Sequence, residues 1–252
     1  MASHPPGACC TRGFKHEGTA SGEIKKIGDI DTYISHPPST TTTTTTTTQP
    51  EKAIIIFTDI LGLADNTKFV ADDFAARGYL VVVPDLFRGS AMTMNQIVSG
   101  VDIMAWLKDY TTEAVDPIAA AAIRYVRETL GIKRVAAAGY CFGAKYATRF
   151  MKEGGGIDVG YVAHPSFVAP EELQAIKGPY AISAAETDTI FPATLRHASE
   201  ELLSKAGRPW QITLFSGVEH GFAVRGDLAN KEVRFAKEQA FIQAATWFEV
   251  HL

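Results

Sequence analysis

What most constrains this chain is the rhythm of its apolar runs. Residues 53–57 (AIIIF), 79–83 (YLVVV), 135–138 (VAAA), 159–163 (VGYVA), 179–184 (PYAISA) and 210–215 (WQITLF) are short and unbroken. A strand wetted on one face would alternate apolar with polar residues, whereas unbroken runs belong to strands covered on both faces. Between the runs lie segments of helical period. Val115, Ile118, Ala119, Ala122, Val126 and Leu130 form one stripe that stops at Gly131, and Val233, Ala236, Ala240, Phe241, Ala244, Trp247 and Phe248 form another. Strand and helix in alternation require crossover connections, hence an α/β fold with a mostly parallel, doubly wound sheet and helices on both faces. Residues 22–34 (GEIKKIGDIDTYI) alternate instead and fit an antiparallel hairpin at the sheet edge.

The chain has 252 residues, 46% of them hydrophobic, enough to bury a full core as a single domain over residues 1–252 without disulfide or metal. A net charge of −4 supplies no basic field for nucleic acid or an anionic membrane. No run of about eighteen uncharged apolar residues suggests a membrane span, and the start, MASHPPGACCTRG, lacks the apolar core of a signal peptide. Three cysteines are too few for a disulfide framework, so a reducing, cytoplasmic setting is expected. Residues 1–20 read as a mobile tail, and residues 38–50, with nine consecutive threonines, as a surface loop. No His-Glu-x-x-His or Cys-x-x-Cys spacing occurs, and neither metal nor cofactor is expected.

Chemistry concentrates where the apolar runs end. Residues 135–138 lead into Gly139-Tyr140-Cys141-Phe142-Gly143 and then a helix expected from about residue 144 to 152. A strand that reverses into a helix this abruptly leaves no room for Cβ atoms at the flanking glycines and lifts Cys141 onto the tip of the turn. The helix N-terminus favours thiolate over thiol. Taken alone, the pentapeptide equally suits a small buried cysteine between two glycines. Partners follow in order, however: Asp188 after the run at 179–184, and His220 after the run ending at Phe215. In that order His220 removes the thiol proton and Asp188 orients the imidazole. Glu186 is the rival acid, but in an extended loop it approaches from the other direction. The Phe142 N–H supplies half of an oxyanion hole, with the other half expected from the turn after residues 53–57. A small substrate suits the short stretch between residues 163 and 179, which has no inserted lid; the segment from residue 90 to 109 is the longest candidate cover.

The pieces TDILGL, VVVPDLFRG, GYCFGA, AAETDTIFP and VEHGFAVRG, in this order and spacing, resemble the dienelactone hydrolase family over nearly the whole chain. The Ala-Cys-Cys start and His164-Pro165-Ser166-Phe167 are most similar to its fungal branch. The resemblance implies an α/β-hydrolase fold and hydrolysis of a small lactone or ester through a thiolate and an acyl-enzyme. It maps the triad onto Cys141, His220 and Asp188, and the second oxyanion donor onto Ile60. A glutamate that pairs with the resting thiol becomes Asp59 here, a side chain shorter by ~1.5 Å, for which a helix N-cap or a solvated turn acid is the other reading. Two substrate-holding arginines map onto Arg88 and, one position displaced, Arg225; Arg88 equally suits a surface ion pair. His164 and Phe222 complete the expected substrate-binding set, although His164 also suits a structural histidine before Pro165. A monomer or homodimer is expected, active in aromatic degradation or polyketide metabolism. The alternatives are a thioesterase, a thiol-redox protein and a binding module that retains the fold.

Overall fold

The computed structural model describes residues 2–5, 16–38 and 50–252. The expected hairpin forms as β1 (Glu23–Ile27) and β2 (Ile30–Ser35), followed by β3 (Lys52–Phe57), α1 (Asp65–Ala75) and β4 (Leu80–Pro84). Two short helices, α2 (Met94–Val98) and α3 (Ile103–Trp106), precede α4 (Thr112–Arg124) and β5 (Arg134–Tyr140). The chain continues through α5 (Ala144–Arg149), β6 (Val159–Ala163), α6 (Pro170–Gln174), β7 (Tyr180–Thr187), α7 (Ala193–Ala206), β8 (Trp210–Glu219), α8 (Phe222–Arg225) and α9 (Lys231–His251). The eight strands form one sheet in the order β1-β2-β4-β3-β5-β6-β7-β8. β1, β2 and β4 pair antiparallel, and every pairing from β4 across to β8 is parallel.

The unbroken runs are explained by what covers them. In β3, Ile55 and Phe57 join one core while Ile54 and Ile56 join the other, and in β5 Val135 and Ala137 divide from Ala136 and Ala138 in the same way. Side chains of a strand alternate between faces, so a strand with helices on both sides must be apolar at every position. On one face lie Val115, Ile118 and Ala122 of α4 with Ala144 and Ala147 of α5. On the other lie Val70 and Phe74 of α1 with Ala236, Ala240, Ala244 and Phe248 of α9. Each large aliphatic or aromatic side chain buried in these layers contributes about 1.5–3 kcal/mol. The alanines of α9 let its backbone approach the sheet closely enough for the Tyr161 hydroxyl of β6 to donate to the Ala240 carbonyl at 3.0 Å.

Several boundaries differ from expectation. α5 ends at Arg149, and the stripe expected up to Gly131 is α4 followed by a wider helical turn over Tyr125–Thr129. β7 runs on to Thr187, which places Glu186 within a strand. The expected mobile tail is not loose over residues 2–5. Ala2 and Ser3 are buried, their N–H groups donate to the Val168 carbonyl, and the His4 N–H donates to the Ile190 carbonyl at 2.7 Å. Small residues whose N–H groups are paired can lie between two loops, which composition alone does not reveal. The threonine run and Cys9-Cys10 lie outside the described residues. Among the described residues no helix is long and apolar enough to cross a membrane.

Candidate active site

The parallel register of β3 with β5, Phe57 opposite Gly139, sets the turn after β3 beside the Cys141 turn. The two are locked by the Gly143 N–H donating to the Thr58 carbonyl at 2.9 Å. A Cβ on Gly143 would lie 2.1 Å from the Phe57 carbonyl oxygen, and one on Gly139 2.6 Å from the Ala144 Cα, so both glycines are required by close approach. Between them Cys141 takes a left-handed backbone, φ 50°, and is fully buried. Arg88, His164 and Phe167 are the other described non-glycine residues with positive φ. They follow β4 and β6, so backbone strain gathers at the carboxyl ends of the central strands.

His220, just past β8, places Nδ1 2.8 Å from Oδ2 of Asp188, just past β7, with both side chains fully buried. The other Asp188 oxygen accepts the N–H groups of Ile190 and Phe191 at 2.8 and 3.1 Å, which fixes the carboxylate in place. Glu186 is exposed and accepts the Gly217 N–H, so it braces the end of β8 and does not meet the imidazole. Burial disfavours the His220 imidazolium, but the negative charge of the Cys141 sulfur when ionised and the Asp188 carboxylate outweigh it and raise the pKa to about 10. The Ile60 N–H meets no backbone acceptor among the described residues, while its carbonyl is held by the Met92 N–H at 2.9 Å. The Phe142 N–H lies in the first turn after Cys141, where a helix has no acceptor of its own.

The expected substrate-binding residues divide. Arg88 is half exposed and pairs with Asp29 in the β1–β2 turn. Arg225 is buried, its Nε 2.8 Å from Oδ2 of Asp59, so it turns inward to a protein carboxylate and is not presented to a cleft. Asp59 is neither an N-cap nor a solvated acid: its other oxygen accepts the Leu61 N–H at 2.9 Å. Burial raises its pKa, and the charge of the Cys141 sulfur when ionised adds to this, against the opposing pull of Arg225. His164 is fully buried with its ring 4.9 Å from that of His220 and 5.8 Å from that of Phe222. Neither of its nitrogens meets a protein partner among the described residues, and burial, then the charges of His220 and Arg225, hold it neutral. Phe222 is buried packing against His164 and Phe215.

One residue escaped the sequence reading. Ser166, in the loop after β6, brings Oγ to 3.4 Å from the Cys141 sulfur. The quoted His-Pro-Ser-Phe stretch contained it, but nothing in the sequence says that this loop folds back onto the Cys141 turn.

The candidate cover, residues 90–109, folds into α2, α3 and a short turn. Phe87 of the preceding loop stacks at 5.1 Å on Trp106, at 5.0 Å on Tyr110 and at 5.2 Å on Phe142, next to the sulfur. Beside it a cleft of about 450 Å³ is lined by Leu61, Leu63, Met92 and Met94 with Asp65 and Asp85, and among the described residues no basic side chain lines it. A larger groove of about 610 Å³ lies between β8 and α9, and neither it nor the cleft is lined by Cys141, Asp188 or His220.

Parallel strands that deliver a tight elbow, then an acid, then a histidine to one rim make this protein an α/β-hydrolase. It shares that fold with a putative dienelactone hydrolase from Klebsiella pneumoniae, at a TM-score of 0.73 and 14% identity, over 91% of this chain and 98% of that one. The chain belongs to the dienelactone hydrolase family, whose sequence profile matches residues 40–252. It is 48% identical over 253 residues to hydrolase pyvD of Aspergillus violaceofuscus, covering 100% of this chain and 99% of that protein. To hydrolase tropI of Talaromyces stipitatus it is 43% identical over 261 residues, with 100% and 99% covered.

Proposed function

We propose that the protein hydrolyses a small, uncharged lactone or carboxylic ester through an acyl-thioester on Cys141. The observation that carries the reading is the buried Asp188–His220 pair beside a sulfur held on a left-handed turn. His220 takes the thiol proton, and the thiolate attacks the carbonyl carbon. The oxyanion is received by the N–H groups of Phe142 and Ile60. The C–O bond then breaks, and the imidazolium returns its proton to the departing alkoxide, which in a lactone stays tethered to the acyl group. Water, deprotonated by His220, attacks the thioester carbonyl; the C–S bond breaks, and acid and thiol are restored. His164, neutral and without a protein partner on its ring, is suited to meet a polar group of the substrate beside His220.

The uncharged substrate follows from the arginines. Arg88 and Arg225 are each engaged by a protein carboxylate, and among the described residues the apolar cleft beside the β3 turn is lined by acids and by no base. A substrate carboxylate would be desolvated there without a cationic partner.

Turnover of an activated aryl ester, with mass spectrometry of the protein after brief exposure to it, tests the reading. Cys141→Ala is expected to lower kcat by at least about 10³-fold and to remove the acyl adduct, and Asp188→Asn to lower kcat by about 10⁴-fold, while Glu186→Gln stays near wild type. Full turnover by Cys141→Ala would overturn it.

A further inference from the structure

The geometry points to Ser166 as a positioning residue for the sulfur: its buried hydroxyl donates a hydrogen bond to the Cys141 thiolate. The inference rests on the reading of Cys141 as nucleophile given above. Ser166 is fully buried, and its Oγ lies 3.4 Å from Sγ. No other partner for that hydroxyl occurs among the described residues. A buried O–H needs an acceptor, and here the sulfur is the one available. A thiol is a weak acceptor and a thiolate a strong one, so the contact favours the ionised form.

The loop carrying Ser166 is held from several sides. Its N–H donates to the Cys141 carbonyl at 3.0 Å, so side chain and backbone both tie it to the elbow. The His164 N–H donates to the Ser183 carbonyl of β7 at 2.9 Å. The Phe167 N–H donates to the His4 carbonyl, and the Val168 N–H to the Ser3 hydroxyl at 2.8 Å, so the N-terminal residues brace the loop from outside. Left-handed backbone at His164 and Phe167, φ 39° and 61°, persists only where surroundings over-determine the conformation. Such bracing suits a hydroxyl that must stay in register with one sulfur.

Other ionisable groups act on that sulfur from different elements. His220 lies past β8 with Asp188 behind it, Asp59 with its partner Arg225 lies after β3, and neutral His164 stands against His220. None of them changes in Ser166→Ala.

The test is the pH dependence of kcat/KM for an aryl ester, together with the ultraviolet absorbance of the thiolate read against Cys141→Ala. In Ser166→Ala both the acidic limb and the thiolate midpoint are expected to rise by about one pH unit, a tenfold loss of thiolate on the acid side. The alkaline plateau is expected within about twofold of wild type, because there the sulfur is ionised without help. An unmoved limb and midpoint would overturn the role of Ser166, as would an equal fall at every pH, the mark of a merely structural residue. A wild-type protein with no thiolate signal lost in Cys141→Ala would sink the nucleophile reading as well.

Discussion

At the scale of single residues, the informative groups are those whose surroundings oppose their ordinary chemistry. His220 is buried, which by itself would lower its pKa, yet it is held at about 10 by Cys141 and Asp188. A group whose folded pKa lies above its unfolded value of 6.5 contributes stability fully below pH 6.5 and loses it as pH rises through about 10. On the proposed reading of Cys141 as a thiolate, Cys141→Ser removes its contribution. An NMR titration of the imidazole is therefore expected to show the His220 midpoint moving down, and thermal melts of the variant to lose less stability than wild type over that same pH window. An unchanged midpoint would mean that the sulfur does not act on the ring. Asp59 and Arg225 follow a related logic, since breaking a buried pair from one side costs about 3–5 kcal/mol while replacing both partners costs less.

At the scale of elements, the β5–α5 turn depends on space as much as on sequence. Gly143→Ala would drive a methyl group into the Phe57 carbonyl of the neighbouring strand, 2.1 Å away in the present geometry. Backbone cannot give way there as a flexible side chain would, so a loss of about 3 kcal/mol or more is expected in a denaturant melt. Gly78→Ala is the comparison: no heavy atom stands within 4 Å of its Cβ, and only the positive φ of 94° opposes the change, at about 1–2 kcal/mol. Similar losses at the two positions would show that strand contact does not set the shape of the elbow. The cover over residues 90–109 is built differently, from stacked Phe87, Trp106 and Tyr110, with the Trp106 indole N–H donating to the Ser90 carbonyl at 3.1 Å.

At the scale of the whole molecule, the sheet brings together side chains that are distant in the chain, and under the proposed function charge decides what the assembled site accepts. Among the described residues the cleft beside the β3 turn is lined by Asp65 and Asp85 and by no cation, while Arg225 is paired with Asp59. Of two lactones of equal size, the uncharged one is expected to show a kcat/KM at least about tenfold above that of its carboxylate-bearing counterpart. Preference for the acid, lost in Arg225→Met, would show that the arginine turns outward to meet substrate.

The apolar rhythm of the chain was enough to determine the doubly wound sheet, the hairpin at its edge and the placing of Cys141, Asp188 and His220 at strand ends, because burial on both faces dictates residue type at every position of a strand. Gly139 and Gly143 could likewise be read as points of close approach. The partner of each side chain was decided only by tertiary structure. Arg225 faces Asp59, Ser166 faces Cys141, and residues 2–5 lie along the Val168 loop, all through contacts between segments far apart in the chain. A hydrogen bond or ion pair depends on distances of a few ångströms, which local periodicity does not encode and which only the packed layers set.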